Sequence, residues 1–178
     1  MSGNGPAAWP GERGRDGGID AVPLPAIAGR LWLCGKHVTG PDPEAALARV
    51  GATTIVCLNE RYELEDRYPA YVEWLQAHRG DRAVWFAIPD LHAPSVDQLL
   101  PLLEDLRVRL DQGEGVLLHC GAGVGRAGTV AACLLMTLDV DRDEALRVVA
   151  THRPLAGPEA GAQRELIDAL AVRLATAS

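Results

Sequence analysis

Between residues 28 and 175, short runs of aliphatic and β-branched residues alternate with stretches in which apolar side chains recur every three or four positions. The runs at 30–34, 53–58, 83–88 and 116–120 are short and continuously apolar enough to predict buried strands. Helices are predicted over Pro43 to Val50, stopped by Gly51, and over 68–79, stopped by Gly80. Ser95 with Gln98 three positions on forms a capping box, and Leu99, Leu100, Leu102, Leu103, Leu106 and Leu110 then mark a buried face that Gly113 closes. Three more helices are predicted: over 125–138, from the Asp141 and Glu144 cap to Arg153 just ahead of Pro154, and over 159–175. This alternation predicts an α/β fold with a central, mostly parallel sheet flanked by helices. The 178 residues are enough for one domain of ordinary size, expected over residues 28–178. Six Gly and two Pro among the first twenty residues give residues 1–27 the character of a disordered or loosely ordered leader.

Composition narrows the function classes. A formal charge of −7 makes the surface as a whole repel nucleic acid and acidic membranes, so an anionic ligand needs a local site. The longest apolar run, residues 130–136, is far short of a bilayer span, and no secretory hydrophobic segment opens the chain. Cys34, Cys57, Cys120 and Cys133 show no CxxC pairing, as expected of thiols in a reducing compartment, and a cytoplasmic location follows. Lys36 is the one lysine among 17 basic residues, a bias that fits a GC-rich bacterial gene. The histidines have no metal-ligand spacing, so neither metal nor cofactor is expected.

One segment carries chemistry. Gly115-Val-Leu-Leu-His119-Cys120 reads as a buried strand, Gly121-Ala122-Gly123-Val124-Gly125 as a glycine-rich turn, and Arg126 onward as an apolar helix. A strand, such a turn and a helix N-terminus make an anion cradle, because consecutive N–H groups can point inward toward the positive end of the helix. Cys120 stands at its mouth, where the helix end and Arg126 favour thiolate over thiol. Arg126 can grip two phosphate oxygens with its planar fork. Gly123-Val-Gly125-Arg-Ala-Gly128 is also a literal GxGxxG, but a second helix follows the first where a dinucleotide-binding unit needs a strand ending in an acidic residue. Cys57 reads either as a core residue or as a redox partner for Cys120.

His119-Cys120-Gly-Ala-Gly-Val-Gly-Arg126 resembles the HCx5R signature of the cysteine-dependent protein tyrosine and dual-specificity phosphatases. Ile88-Pro89-Asp90 followed by Ala93-Pro94-Ser95 resembles the general-acid loop of small atypical and kinase-associated-type members. The resemblance implies that Cys120 attacks phosphorus, that Arg126 and the loop from Gly121 to Gly125 hold the phosphoryl oxygens, and that Asp90 protonates the leaving oxygen and then serves as base for water. His119 is expected to hold the loop through a backbone hydrogen bond, and Gln163 resembles the glutamine that positions the hydrolytic water. Substrates would be phosphorylated proteins or small phosphomonoesters, and the loop interior, having no Lys, suits a singly phosphorylated group. Ala127 departs from the pattern, since the family usually places Ser or Thr there to support the departing thiolate. A phosphate-binding pseudophosphatase with little turnover is therefore the alternative.

Overall fold

The structure, a computed structural model, describes residues 18–177. Five strands form one sheet: β1 (Ile19–Val22), β2 (Arg30–Gly35), β3 (Thr54–Cys57), β4 (Ala83–Trp85) and β5 (Gly115–Cys120). Their order is β1-β2-β5-β3-β4, with β1 antiparallel to β2 and every other pair parallel. The mostly parallel sheet is as expected; β1 is not. Residues 19–22 fall inside the stretch assigned to a leader, yet they pair with β2 from Cys34 back to Leu31 and bury Val22. Four residues among glycines and prolines are too few for a readable period, and pairing partner rather than propensity makes them a strand. The rest of that leader, residues 1–17, lies outside the described residues.

The helices are α1 (Lys36–Thr39), α2 (Pro43–Val50), α3 (Pro69–Ala77), α4 (Val96–Asp111), α5 (Gly125–Thr137), α6 (Arg142–His152) and α7 (Gly161–Thr176), with a 3₁₀ turn at Arg61–Glu63. Local chemistry sets their ends. Asp42 accepts a hydrogen bond from the Ala45 N–H at the start of α2, and Gly51 closes it in the left-handed conformation. The Ser95 and Gln98 capping box forms at α4. The last helix begins two residues later than the pattern suggests, because Ala160 is extended; Glu159 thus stands before the helix. The expected strand over 83–88 stops formally at Trp85, but the Phe86 and Ile88 N–H groups still donate to the Cys57 and Leu58 carbonyls, which carries Asp90 toward the end of the sheet.

Strand side chains alternate between two cores. Leu31, Leu33, Val56, Leu58, Val116, Leu118 and Cys120 face the layer built from α4 to α7. Trp32, Cys34, Ile55, Cys57 and Leu117 face α1, α2 and α3. The helix α5 is buried from Gly125 to Met136, because the sheet covers one side and its neighbouring helices the other. Its all-apolar face explains why no amphipathic stripe is visible there in the sequence.

Leu118, fully buried in the central strand, sets an expectation for stability. Leu118→Ala should cost about 2–5 kcal/mol, whereas Val172→Ala, 66% exposed on α7, should stay within about 0.5 kcal/mol. Urea denaturation of the two variants checks both.

Candidate active site

The C-terminal ends of β2, β3 and β5 meet at one cleft of about 410 Å³, walled chiefly by Lys36, Glu63, Asp90, Cys120, Gly121, Ala122, Gly125, Arg126 and Glu159. Ligands of parallel α/β sheets bind at this end of the strands. Cys120 ends β5 and is 3% exposed.

The loop after Cys120 is shaped by what its carbonyls bond. The Gly121 carbonyl accepts from the Lys36 N–H at 3.0 Å, and that of Val124 from Gly128 and Gly157 at 3.0 and 3.1 Å. Arg153, fully buried, donates from Nη2 to the Ala122 carbonyl at 2.8 Å and from Nε to the Gly123 carbonyl at 2.6 Å. In a planar trans peptide the N–H points opposite to the carbonyl, so tying these four carbonyls outward turns the N–H groups of Ala122, Gly123, Val124 and Gly125 the other way. Gly123 has φ +72°, and a Cβ on it would lie 2.2 Å from the Cys34 carbonyl oxygen, so only glycine fits this bend.

Arg126 is held as a fork with one edge occupied. Its Nη1 donates to Glu63 Oε2 and to the Ile88 carbonyl, each at 2.8 Å, and its Nη2 donates to Glu63 Oε1 at 2.8 Å. Glu63 is fixed in turn by the Asn59 amide at 3.0 Å and the Glu60 N–H at 2.7 Å. The remaining Nε–H and second Nη2 proton lie along the other edge, the pair of donors a tetrahedral oxyanion takes. Asp90 Oδ1 stands 3.5 Å from Nη2 and accepts the Leu91 N–H at 3.0 Å, with its side chain 62% exposed. Burial raises the Glu63 carboxyl pKa, but the bonds from Arg126 and the Glu60 N–H outweigh it and hold the group below its ordinary value of 4.5.

His119 lies fully buried on the opposite face of β5 from Cys120. Its Nδ1 is 3.3 Å from the Cys120 carbonyl and its Nε2 2.6 Å from the Tyr71 hydroxyl. A carbonyl can only accept, so Nδ1 carries the proton and Nε2 accepts from Tyr71. Burial pushes its pKa down to about 4.

Of the residues expected at the site, Cys120, Arg126, Asp90, Gly121, Ala122 and Gly125 come together at the cleft, and Gly123 and Val124 form the bend beneath it. Gln163 does not line the cleft. Its amide is 1% exposed, with Oε1 accepting the Glu159 N–H at 2.7 Å and Nε2 donating to the His92 carbonyl at 3.5 Å. Cys57 faces the α2 and α3 core, away from Cys120, and burial raises its thiol to about 12. The pattern gave no warning of Lys36, Glu63 or Glu159. Lys36 follows β2 directly, and the topological rule about strand ends was the one available signal.

An open α/β sheet that gathers a cysteine, a glycine-rich loop with outward-tied carbonyls and a half-occupied arginine at its carboxyl end has the build of a domain that receives a tetrahedral anion. Residues 30–169 match the DSP-PTPase phosphatase domain described as a Swiss Army Knife protein, PTP-SAK, and the chain belongs to that family. It is similar to cyclin-dependent kinase inhibitor 3 of Sus scrofa, 41% identical over 51 residues that make 29% of this chain and 24% of that protein. It is also similar to dual specificity protein phosphatase 22 of Homo sapiens, 33% identical over 89 residues, 46% of this chain and 47% of that one. The matched stretches thus span from about a quarter to about half the length of these curated relatives. Among solved structures, Tk-PTP in its active form is 33% identical, covering 84% of this chain and 98% of its own, with a TM-score of 0.65. Kinase associated phosphatase with serine at its catalytic-site cysteine shares the fold, with a TM-score of 0.74 at 24% identity over 88% of this chain and 95% of that one.

Two outcomes are expected. Glu63→Ala leaves a guanidinium that is 3% exposed without its carboxylate, which should cost about 3–5 kcal/mol. Inorganic phosphate should restore more stability to this variant than to the parent, read as thermal midpoints with and without the anion. Because the folded-state pKa of Glu63 is depressed, its contribution is full above the ordinary value of 4.5 and is lost as pH falls through the folded value, so parent and variant should converge in acid. The imidazole of His119 should stay neutral down to about pH 4, visible as an unshifted ring resonance in an NMR titration through pH 6.5.

Proposed function

We propose that the chain hydrolyses phosphomonoesters as a protein tyrosine or dual-specificity phosphatase, through a cysteinyl-phosphate. The observation that carries this reading is the pairing of outward-tied loop carbonyls with the open edge of Arg126 above Cys120. The cleft thereby offers inward N–H donors, the start of α5 and two guanidinium donors to one tetrahedral anion. The family match and the similarity to dual specificity phosphatases support the same activity.

In the first step Cys120 Sγ attacks phosphorus, the bond from phosphorus to the leaving oxygen breaks, and Asp90 gives that oxygen its proton. In the second step water attacks the cysteinyl-phosphate, the P–S bond breaks and sulfur departs as thiolate. Arg126 and the loop amides hold the three non-bridging oxygens through both steps. Lys36 and Arg126 are the cations of the cleft, against Glu63, Asp90 and Glu159. That balance favours a substrate with one phosphoryl group, with phosphotyrosine in a protein as the leading candidate. A reducing, bacterial cytoplasm is the proposed location, supported by four free cysteines and by a single Lys among 17 basic residues, and the proposed chemistry requires no metal.

A specific observation keeps the pseudophosphatase reading in view. Ala127 is fully buried and Thr129 donates its hydroxyl to the Gly125 carbonyl at 2.7 Å, so neither side chain offers a proton to the departing thiolate. Steady-state hydrolysis of p-nitrophenyl phosphate separates the two. Turnover that Cys120→Ser abolishes supports the enzyme, and phosphate binding without turnover in the parent supports the recognition module. Asp90→Asn should lose about 10² to 10⁴-fold on phenyl phosphate and much less on substrates with activated leaving groups. EDTA should leave the parent's rate unchanged.

A further inference from the structure

Glu159 lines the same cleft as Cys120, from the segment that precedes α7. A Cβ built on Gly125, the first residue of α5, would meet Glu159 Oε2 at 2.0 Å, its Cδ at 2.8 Å and its Cγ at 3.1 Å. The carboxylate therefore rests on the bare Cα of the loop's last glycine. Its backbone is held there. The Glu159 N–H donates to the buried Gln163 amide at 2.7 Å, and the Gly157 N–H docks the same segment on the Val124 carbonyl at 3.1 Å. Gly128 presses against this segment too, since a Cβ on it would lie 2.2 Å from the Gly157 nitrogen.

Three carboxylates line the cleft, and two are engaged. Glu63 binds Arg126, Asn59 and the Glu60 N–H, while Asp90 accepts from Leu91 and stands beside Arg126. Among the described residues, the oxygens of Glu159 accept no hydrogen bond and join no ion pair. A carboxylate built into a phosphoryl cleft by its own backbone, with both oxygens available, has the chemistry of a base for water.

We propose that Glu159, rather than Asp90 or Gln163, is the catalytic base of the second half-reaction, an inference that rests on the phosphatase reading above. Water bound against Glu159 attacks the phosphorus of the cysteinyl-phosphate, its proton passes to the Glu159 carboxylate, the P–S bond breaks and Cys120 leaves as thiolate. Gln163 is a positioning residue that fixes the Glu159 backbone. Asp90, 62% exposed, regains its proton from solvent between turnovers.

Rapid mixing with p-nitrophenyl phosphate, with acid quenching to trap protein-bound phosphate, tests this on the full chain. Glu159→Gln preserves volume and the N–H bond to Gln163. It should lower kcat by about 10² to 10⁴-fold, leave the rate of the first phenol release within about threefold of the parent, and accumulate phosphate on Cys120 to nearly one per molecule. Glu159→Asp should recover part of kcat without altering the burst rate. Asp90→Asn should do the reverse on phenyl phosphate, slowing phenol release with no phosphoenzyme building up. A Glu159→Gln enzyme with the parent's kcat overturns the proposal, as does one whose burst and kcat fall together or whose kcat falls without trapped phosphate. A parent that releases no phenol fails the phosphatase reading itself, a result distinct from all of these.

Discussion

The cleft depends on one buried cation. Arg153 has no exposed surface, and its guanidinium reaches the carbonyls of Ala122 and Gly123, the Leu33 carbonyl and, at 2.8 Å, the carboxylate of Asp20 on β1. A buried guanidinium is costly unless every donor finds an oxygen, so this network has little freedom to rearrange. The loop carbonyls cannot swing inward without stranding Arg153, and an inward carbonyl would replace an anion-binding donor with a repelling dipole. The antiparallel strand at the edge of the sheet thereby becomes part of the scaffold of the cleft, since Asp20 supplies the counter-charge that makes Arg153 tolerable where it stands.

Arg126 poses the complementary problem. It must be buried enough to be oriented, yet keep donors for a ligand. Glu63 resolves this by taking the end of the fork, and the Ile88 carbonyl takes the remaining Nη1 proton. Desolvation disfavours the charge and Glu63 restores it, so the guanidinium stays ionised with its second edge facing the cleft. Since Ile88 lies two residues before Asp90, the same contact ties Arg126 to the segment that carries Asp90 into the cleft. A lysine would hold neither Glu63 nor phosphate in this way, because its single ammonium has no second edge.

What the sequence made legible follows from range. The signature from His119 to Arg126 is contiguous, and its strand, turn and helix are dictated by neighbours in the chain, so the fold class and the place of the glycine turn between β5 and α5 could be read directly. The capping box at Ser95 and the glycine stop at Gly51 are equally local. Glu63, Lys36, Glu159 and Asp20 were not legible, because each gains its role from a residue more than thirty positions away or from a strand pairing. Glu63 lies in a polar stretch with no periodicity, and Asp20 in a segment whose composition reads as coil. Gln163 was found by spacing but given the wrong neighbour: with Ala160 extended, Glu159 rather than the glutamine meets the cleft.

The pleat of β5 separates two kinds of chemistry that are neighbours in the chain. His119 and Cys120 are adjacent, so their side chains leave the strand on opposite faces. His119 is paired in register with Cys34 on β2 and Cys57 on β3, and all three side chains enter the α2 and α3 layer. Cys120 emerges with Val116 and Leu118 on the α4 to α7 side, beneath the loop. A disulfide from Cys57 to Cys120 would have to cross the sheet, breaking ladder bonds in its centre, so the Cys57 thiol is barred by geometry from Cys120. The neutral ring between them binds the Cys120 carbonyl from below, and its support reaches Cys120 through the backbone alone.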